Sequence, residues 1–393
     1  MSWTDIGLAV AGLPTLAASL YLLALAILSR RQPPRAVAAP RMRFDIVVPA
    51  HDEDAQINRT VANLLALAYP RPLFRVLVIA DNCCDRTAEY AAAAGAQVIV
   101  RNDPEHRGKG YALAHAFDYS LAHGFADAVV VVDADTIVTS NLLSAFSARF
   151  EAGAAALQAD YGVRNPMASW RTRMMTIALS AFHGVRSLAR EHLQLSCGLR
   201  GNGMGFSTSL LRAEPHHAFS IVEDLEYGLQ LGSAGYRVEY VHEARVLGQM
   251  VSTEHASRSQ RRRWEKGRRI LARQRGIPLL SQAWTKRSPL LLDLALDLLV
   301  PPLGELVALD AVGLTLTILL TPLGGMAMWI WSASAFGVAV YGIRAWALSG
   351  VGPRGLLDLL WTPVYVVWKL TLLFKHKDAR REEWIRTTRE VKM

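Results

Sequence analysis

Apolar and polar positions divide this chain into three zones. Residues 7–29 carry no charge over a length that can cross a bilayer as a helix. From about 44 to 250 apolar and polar residues mix as in a soluble α/β domain, and from about 288 to 374 apolar residues dominate again. In the middle zone, short apolar runs rich in Val and Ile predict strands at 45–50, 75–81, 97–101 and 128–133, with later ones near 155–161 and 236–242. The run 128–132 is unbroken Ala and Val, the signature of a strand buried on both faces of a parallel sheet. Helical stretches fit 55–68, 85–94, 109–122 and 139–150. This alternation predicts an α/β fold, a doubly wound sheet with right-handed crossovers.

Charge adds an orientation. The chain has 43 Lys and Arg against 34 Asp and Glu, a net +9. No Lys or Arg precedes the first apolar segment, whereas Arg30, Arg31, Arg35, Arg41 and Arg43 follow it. Small residues at 36–39 suit a cleavage site, but a signal peptide has the opposite charge order, so the segment reads as an anchor. The positive-inside rule then places the globular domain and the basic C-terminal tail in the cytoplasm. Between domain and tail, four apolar stretches lie near 288–308, 311–331, 333–349 and 356–374; two or four crossings both fit. The first carries Asp293, Asp297, Glu305 and Pro301-Pro302, so it reads either as an interfacial or re-entrant helix or as part of a polar path. The Arg-dense stretch 258–275 adjoins this zone and reads as a basic helix on anionic lipid; no nucleic-acid-binding motif accompanies it, so no nucleic-acid partner is expected. Cys83, Cys84 and Cys197 are too few and wrongly spaced for a disulfide framework or a zinc site and read as packing residues.

Three predicted strands end in polar clusters: His51-Asp52-Glu53, Asp81-Asn82 and Asp133-Ala134-Asp135. Ligands of open α/β sheets bind at such carboxyl ends. Two carboxylates one residue apart suit a hard divalent cation and the phosphates it carries. No G-x-G-x-x-G follows the first strand and no Walker motif is present, although Arg107-Gly108-Lys109-Gly110 opens a helix where amides and a lysine favour an anion. Glu223-Asp224 opens another predicted helix, where acids either complement the helix dipole or belong to a site. His51 has no second histidine at ligand spacing, so it reads as a site-edge residue rather than a zinc ligand; His216-His217 reads as loop.

In order, Asp81, Asp133/Asp135, Glu223-Asp224 and Gln260/Arg263/Trp264 resemble the membrane-bound family 2 glycosyltransferases with a GT-A domain, a group that includes cellulose, chitin and hyaluronan synthases. That family carries an aspartate after the second strand, a D-x-D, a T-E-D and a Q-x-x-R-W. Within it the chain looks most like the EpsO-like exopolysaccharide glycosyltransferases, through VPAHDE (48–53), IADNCCDRTA (79–88), RGKGYAL (107–113), VVVVDAD (129–135) and LSCGLRGNGMGFS (195–207). The resemblance covers roughly 44–270, and the membrane zone is similar in layout alone. Two positions depart from the pattern: Val222 stands for the common Thr of T-E-D, and Gly201-Asn202-Gly203 stands where polymerising synthases often have G-T-G.

The resemblance implies an inverting, metal-dependent transfer from a UDP-sugar to a lipid-linked saccharide or growing polysaccharide in exopolysaccharide or envelope glycan synthesis. Asp135 would hold Mg²⁺ or Mn²⁺, with Asp133 oriented toward the nucleotide sugar and Arg263 and Lys109 facing the leaving diphosphate. Asp224 would be the general base, with Glu223 raising its pKa. Asp81, with Ala50, His51 and Glu53 at the first strand end, would read the nucleotide, while Trp264 stacks on the acceptor and the Gln260–Arg263 segment closes over the site. The implied layout is an anchor and basic linker (1–43), a GT-A catalytic domain (44–250), a basic interfacial and gating segment (251–287), a transmembrane region (288–374) and a basic cytoplasmic tail (375–393). It implies a bacterial inner-membrane enzyme contacting membrane lipids and an export or polymerisation complex. A processive synthase that moves its own polymer, a catalytically silent nucleotide-sugar-binding subunit and a transporter with a regulatory domain are the competing readings.

Overall fold

The computed structural model describes residues 2–35, 39–249 and 254–359, with the side chains of 254–264 outside the description. The described residues form the strands β1 (Phe44–Ala50), β2 (Phe74–Asp81), β3 (Gln97–Arg101), β4 (Ala128–Val131), β5 (Thr136–Val138), β6 (Ala156–Val163), β7 (Met204–Ser207) and β8 (Val238–Gly248). The helices begin with α1 (Trp3–Leu28), α2 (Ile57–Leu65), α3 (Thr87–Ala93), α4 (Lys109–His123), α5 (Leu142–Glu151), α6 (Trp170–Leu179) and α7 (Arg186–His192). They continue with α8 (Thr208–Ala213), α9 (Glu223–Ser233), α10 (Glu254–Thr285), α11 (Pro289–Leu299), α12 (Leu303–Leu320), α13 (Met326–Ser349) and α14 (Gly352–Leu359). The chain divides into two compact units, one built on residues 31–165 and 190–298, the other on the N-terminal segment to Arg30, 166–189 and the residues from Leu299 on.

The first unit is one sheet in the order β3-β2-β1-β4-β7-β6-β8-β5. β3, β2, β1 and β4 run parallel, as the apolar runs predict, and every residue of β1 is buried. The doubly wound expectation needs a correction beyond β4. β7 runs antiparallel to β4 and β6, and β5 runs antiparallel to β8. Both strands escape the sequence pattern because three or four residues are too few to show a period. β4 also stops at Val131, which leaves Asp133 on a turn instead of in the strand.

Helices α2 and α5 pack on this sheet through Val61, Leu64, Leu143 and Phe146, which share a core with Ile46, Val48 and Val130. At the start of β1, Asp45 is fully buried yet fully used. It takes both nitrogens of an Arg75 fork at 2.9 and 2.8 Å and the Ser120 hydroxyl at 2.7 Å. A satellite cluster joins α9, α10 and α11 through Leu229, Leu271, Leu279, Leu291 and Leu294.

Asp293 and Asp297 lie one helical turn apart on α11, and both meet Arg190, which is 1% exposed. Arg190 Nε donates to Asp293 at 2.7 Å, and Nη2 lies 2.8 Å from Asp297. The carboxylates that a polysaccharide path would need are therefore engaged in a buried ion cluster. The sequence reading had no sign of this, because their partner lies about a hundred residues away.

In the second unit, α1, α12 and α13 are each long and apolar enough to cross a membrane. The Asp5 carboxylate, 1% exposed, caps the N-terminus of α13 by accepting from the amides of Met326 (3.1 Å) and Ala327 (3.0 Å). Ser19 and Ser334 pair at 2.9 Å between α1 and α13. Two predicted boundaries move. Pro301-Pro302 splits the stretch 288–308 between α11 and α12, and Pro322 with Gly324-Gly325 ends the next helix, so 326–349 is one continuous α13. From residue 360 on, the predicted stretch 356–374 and the tail 375–393 lie outside the described residues.

Breaking the α11 cluster at its cation leaves two buried carboxylates uncompensated. Arg190→Met should therefore cost about 3–5 kcal/mol of stability. Adding Asp293→Asn and Asp297→Asn should restore most of the loss, as read by thermal unfolding of the full chain in detergent.

Candidate active site

Parallel pairing of β1 with β2 and β4 brings their carboxyl ends to one edge of the sheet. There Ala50 and His51 lie beside the end of β2. His51 Nδ1 is 2.8 Å from the Asp81 carbonyl oxygen, and the Cys83 thiol points at the Ala50 carbonyl at 3.5 Å. The following turn is tied down by its neighbours. Asp52, at φ 53°, accepts from the Cys84 amide at 2.7 Å, and the Glu53 amide donates to Thr87 Oγ1 at 2.7 Å. The His51-Asp52-Glu53 cluster thus clasps two strand ends together and frames the pocket.

Asp81 is fully buried. Its Oδ1 accepts from Arg101 at 2.6 Å and from Asn82 at 3.1 Å, whereas Oδ2 has no hydrogen-bond partner among the described residues. A buried carboxylate oxygen left unpaired is costly unless a ligand donates to it. Arg101 also donates to the His106 carbonyl at 2.9 Å, linking this strand end to the loop that enters α4.

Neutral side chains from distant segments hold the Asp133-Ala134-Asp135 turn. The Asp133 amide donates to Asn202 Oδ1 at 3.2 Å, and Asn202 Nδ2 donates to Thr136 Oγ1 at 2.8 Å. Thr60 Oγ1 donates to the Ala134 carbonyl at 2.7 Å. Gln158, fully buried, fixes the Asn202 segment in turn, donating to its carbonyl at 2.7 Å and accepting from the Arg200 amide at 2.9 Å. Sequence reasoning missed Thr60, Gln158 and Asn202 as members of this site. Asn202 was visible as a departure in the G-N-G segment; the other two carried no signal.

Lys109, the first residue of α4, sits at the centre. Its ammonium donates to Asp133 Oδ1 and to the Gly201 carbonyl, each at 2.5 Å, and lies 4.0 Å from Glu223 Oε1. Gly201 has φ 78°, and a Cβ there would come within 3.3 Å of Asp224 Oδ2 and 3.7 Å of the ammonium. A side chain would therefore be strained and would crowd the gap between Asp224 and Lys109. Burial pushes the Glu223 carboxyl up, and the Asp224 charge adds to this, bringing it to about 8 against the pull of Lys109. Asp224 is also raised by burial, while Lys109 and Arg200 pull the other way. Burial pulls the Lys109 amine down, but Asp133 and Glu223 outweigh it and hold the ammonium above its ordinary value. Both adjacent carboxyls are thus raised by burial against the pull of the ammonium.

Helix α10 passes the same place. A Cβ on Gly267 would be 2.8 Å from the Val222 side chain, so the α10 backbone runs against the residue that precedes Glu223. Gln260, Arg263 and Trp264 belong to α10 within two turns of Gly267, and their side chains lie outside the described residues.

The donor set at Asp133 and Asp135 suits a hard divalent ion, because it consists of carboxylate oxygens on a fixed turn at a strand end. Asp135 is nine-tenths buried there. A second group, Asp52, Cys83 and Asp85, brings one ligand atom from each residue within 4.8 Å of the others. It suits Mg²⁺ or Mn²⁺ less well. One donor is a thiol that burial pushes up to about 11, and the Asp85 carboxylate already accepts from Thr87 and from the Asp54 amide.

A GT-A-like sheet with acidic clusters at its carboxyl edge defines the class of nucleotide-diphosphate-sugar transferases. Residues 40–267 match the family described as "Glycosyltransferase like family 2", and the chain belongs to it. Among curated relatives, it is 28% identical over 304 residues to the beta-monoglucosyldiacylglycerol synthase of Synechocystis sp. (strain ATCC 27184 / PCC 6803 / Kazusa), 75% of this chain and 62% of that protein. It is 22% identical over 262 residues to the probable glycosyltransferase YdaM of Bacillus subtilis (strain 168), 64% of this chain and 60% of that one. The chain thus spans about three fifths of the length of these relatives. In fold it is similar to the mannosyltransferase PcManGT from Pyrobaculum calidifontis, solved with GDP-Man and Mn²⁺, at TM-score 0.55 and 18% identity over 93% of this chain and 98% of that one.

The central cation generates a pH prediction. An ammonium beside carboxyls favours their ionised form, so its removal raises their pKa. Lys109→Met should move the acid limb of the pH–rate profile upward by about one unit or more. Lys109→Arg should move it less. An unmoved limb in Lys109→Met would show that the ammonium does not set the charge state of the Glu223–Asp224 pair.

Proposed function

We propose that this chain transfers a single sugar from a UDP-sugar to a lipid-linked or polysaccharide acceptor, by direct displacement with inversion. The observation that carries this reading is the convergence of Asp133, Glu223 and Asp224 on the Lys109 ammonium, with Gly201 leaving space between base and cation. Such a displacement needs charge aimed at the leaving diphosphate, a base for the acceptor hydroxyl and a grip on both substrates.

Lys109, at the start of α4 and bonded to Asp133 of the D-A-D turn, supplies fixed positive charge on the diphosphate side, and Arg263 adds to it. A divalent ion, Mg²⁺ or Mn²⁺, held by Asp135 would supply Lewis-acid stabilisation of the same leaving group. Asp133 orients the nucleotide sugar through its tie to Lys109. Burial raises both carboxyls of the Glu223–Asp224 pair, which suits Asp224 to accept the hydroxyl proton as general base. The unpaired Asp81 Oδ2 suits an N–H of the nucleobase, beside the wall made by Ala50, His51 and Glu53. Trp264 stacks on the acceptor sugar, and the Gln260–Arg263 segment acts as a lid.

Two observations support a lipid-borne acceptor: the three apolar helices and the similarity to a protein named for synthesis of a glucosyl diacylglycerol. The charge order around α1 favours a bacterial inner-membrane protein with its catalytic domain cytoplasmic, in exopolysaccharide or envelope glycan synthesis beside an export or polymerisation complex.

The test is nucleotide release by the purified full chain over a panel of UDP- and GDP-sugars with Mg²⁺ or Mn²⁺ and membrane lipid extract as acceptor. One UDP-sugar should turn over. Asp224→Asn should lower the rate by about 10²–10⁴-fold while retaining UDP binding. Asp135→Ala should lose the metal dependence of binding. Turnover with a GDP-sugar alone would overturn the assignment of the donor; nucleotide binding with no turnover on any donor would favour the silent subunit.

A further inference from the structure

In the second unit, α1, α12 and α13 pack on one another along their apolar lengths. One layer of that packing is polar. Ser19 of α1 and Ser334 of α13 are fully buried and share a hydrogen bond at 2.9 Å. The Asp310 carboxyl of α12, 4% exposed, lies beside the Ser334 hydroxyl. Yet neither of its oxygens meets a hydrogen-bond partner in good geometry among the described residues. Seven residues separate Asp310 from the start of α12 and ten from its end, about 10 and 15 Å of helix, so the carboxyl lies well inside the span. Apolar side chains close the layer on both sides. Leu22, Leu306 and Val338 belong to one cluster, and Leu314 and Trp331 to another. Each stands three or four residues from the polar residue of its own helix, on the same face. A Cβ on Gly313 would lie 2.3 Å from the Trp331 ring, so α13 seals closely against α12 beside Asp310.

We infer that Asp310, Ser19 and Ser334 form a binding site for one exchangeable monovalent cation, a proton or a sodium ion, in the interior of this helix bundle. A bare carboxylate at such depth is costly, and acids inside a span mark ion and proton sites. The two serines have two hydroxyl protons, and their mutual bond uses one, so they cannot satisfy both carboxylate oxygens. A bound proton turns the carboxyl into a donor toward the Ser334 oxygen. A sodium ion instead finds carboxylate and hydroxyl oxygens, a hard donor set. One carboxylate balances one unit of charge, so a divalent ion would leave an uncompensated charge in the layer. Asp5 in the same unit is the contrast: it accepts from two amides of α13 and needs no cation. The site uses no residue of the candidate active site, and the inference does not rest on the transferase reading.

Dicyclohexylcarbodiimide, which modifies protonated carboxyls in apolar surroundings, tests the site without turnover. The full chain in nanodiscs is treated with it, and the adduct is located by peptide mass spectrometry. Asp310 should carry the acylurea and Asp5 should not. A proton site predicts a yield that falls as pH rises, about tenfold per pH unit once the proton leaves. A sodium site predicts a yield that falls at fixed pH when sodium chloride replaces choline chloride. Asp310→Asn keeps the shape of the protonated acid, so it should lose the adduct at this position with its melting temperature unchanged. Ser334→Ala removes an oxygen of the site and should move the half-point of the pH or sodium dependence; an unmoved half-point would overturn the assignment. A yield indifferent to both pH and sodium would mark a permanently protonated structural acid and overturn the inference. Absence of any adduct at Asp310 would overturn it too, because a cation of the chain itself would then already pair the carboxyl.

Discussion

The site depends on one ammonium in a nest of carboxylates. Asp133, Glu223 and Asp224 come from a strand-end turn and a helix N-terminus about ninety residues apart, and all three are drawn toward Lys109. Without that cation the carboxylates would repel one another in a partly dry pocket, and protonation or separation would relieve them. With it, Asp133 stays fixed by a 2.5 Å bond, and the ammonium pulls against the burial that raises Glu223 and Asp224. The Gly201 carbonyl completes the nest, and its missing side chain keeps the space beside Asp224 open for an incoming group.

Around this charged centre, the scaffold is neutral. Thr60, Gln158 and Asn202 hold the backbone of the D-A-D turn and the Gly201 loop through hydroxyls and amides. Two buried aspartates show the difference. Asp45, at the start of β1, has its oxygens taken by Arg75 and Ser120 and serves the fold. Asp81, at the opposite end of the neighbouring strand, has one oxygen without a partner among the described residues, on the edge where ligands of such sheets bind.

Legibility followed range along the chain. The four parallel strands were readable because burial on both faces forces unbroken apolar runs, as in 128–132. Lys109 and the Glu223-Asp224 pair were readable because each opens a helix, and Asp133 because it follows an unbroken apolar run. Asn202 and Gln158 do their work from other segments with neutral side chains, and β5 and β7 are too short to show a period. Asp293 and Asp297 suggested a polar path because their partner, Arg190, lies far off in sequence. His51 reads from the sequence as a site-edge residue; that its Nδ1 meets the Asp81 carbonyl is a contact that pattern alone does not carry.

The central claim is that Asp224 deprotonates the acceptor for a one-step displacement, with no protein nucleophile at the anomeric carbon. The configuration of the new linkage tests this most directly. Proton NMR of the product formed from an α-linked UDP-sugar should show a β-linkage, the inversion that a single displacement requires. An α-linked product would mean retention, and it would contradict the assignment of Asp224 as the base of a direct displacement.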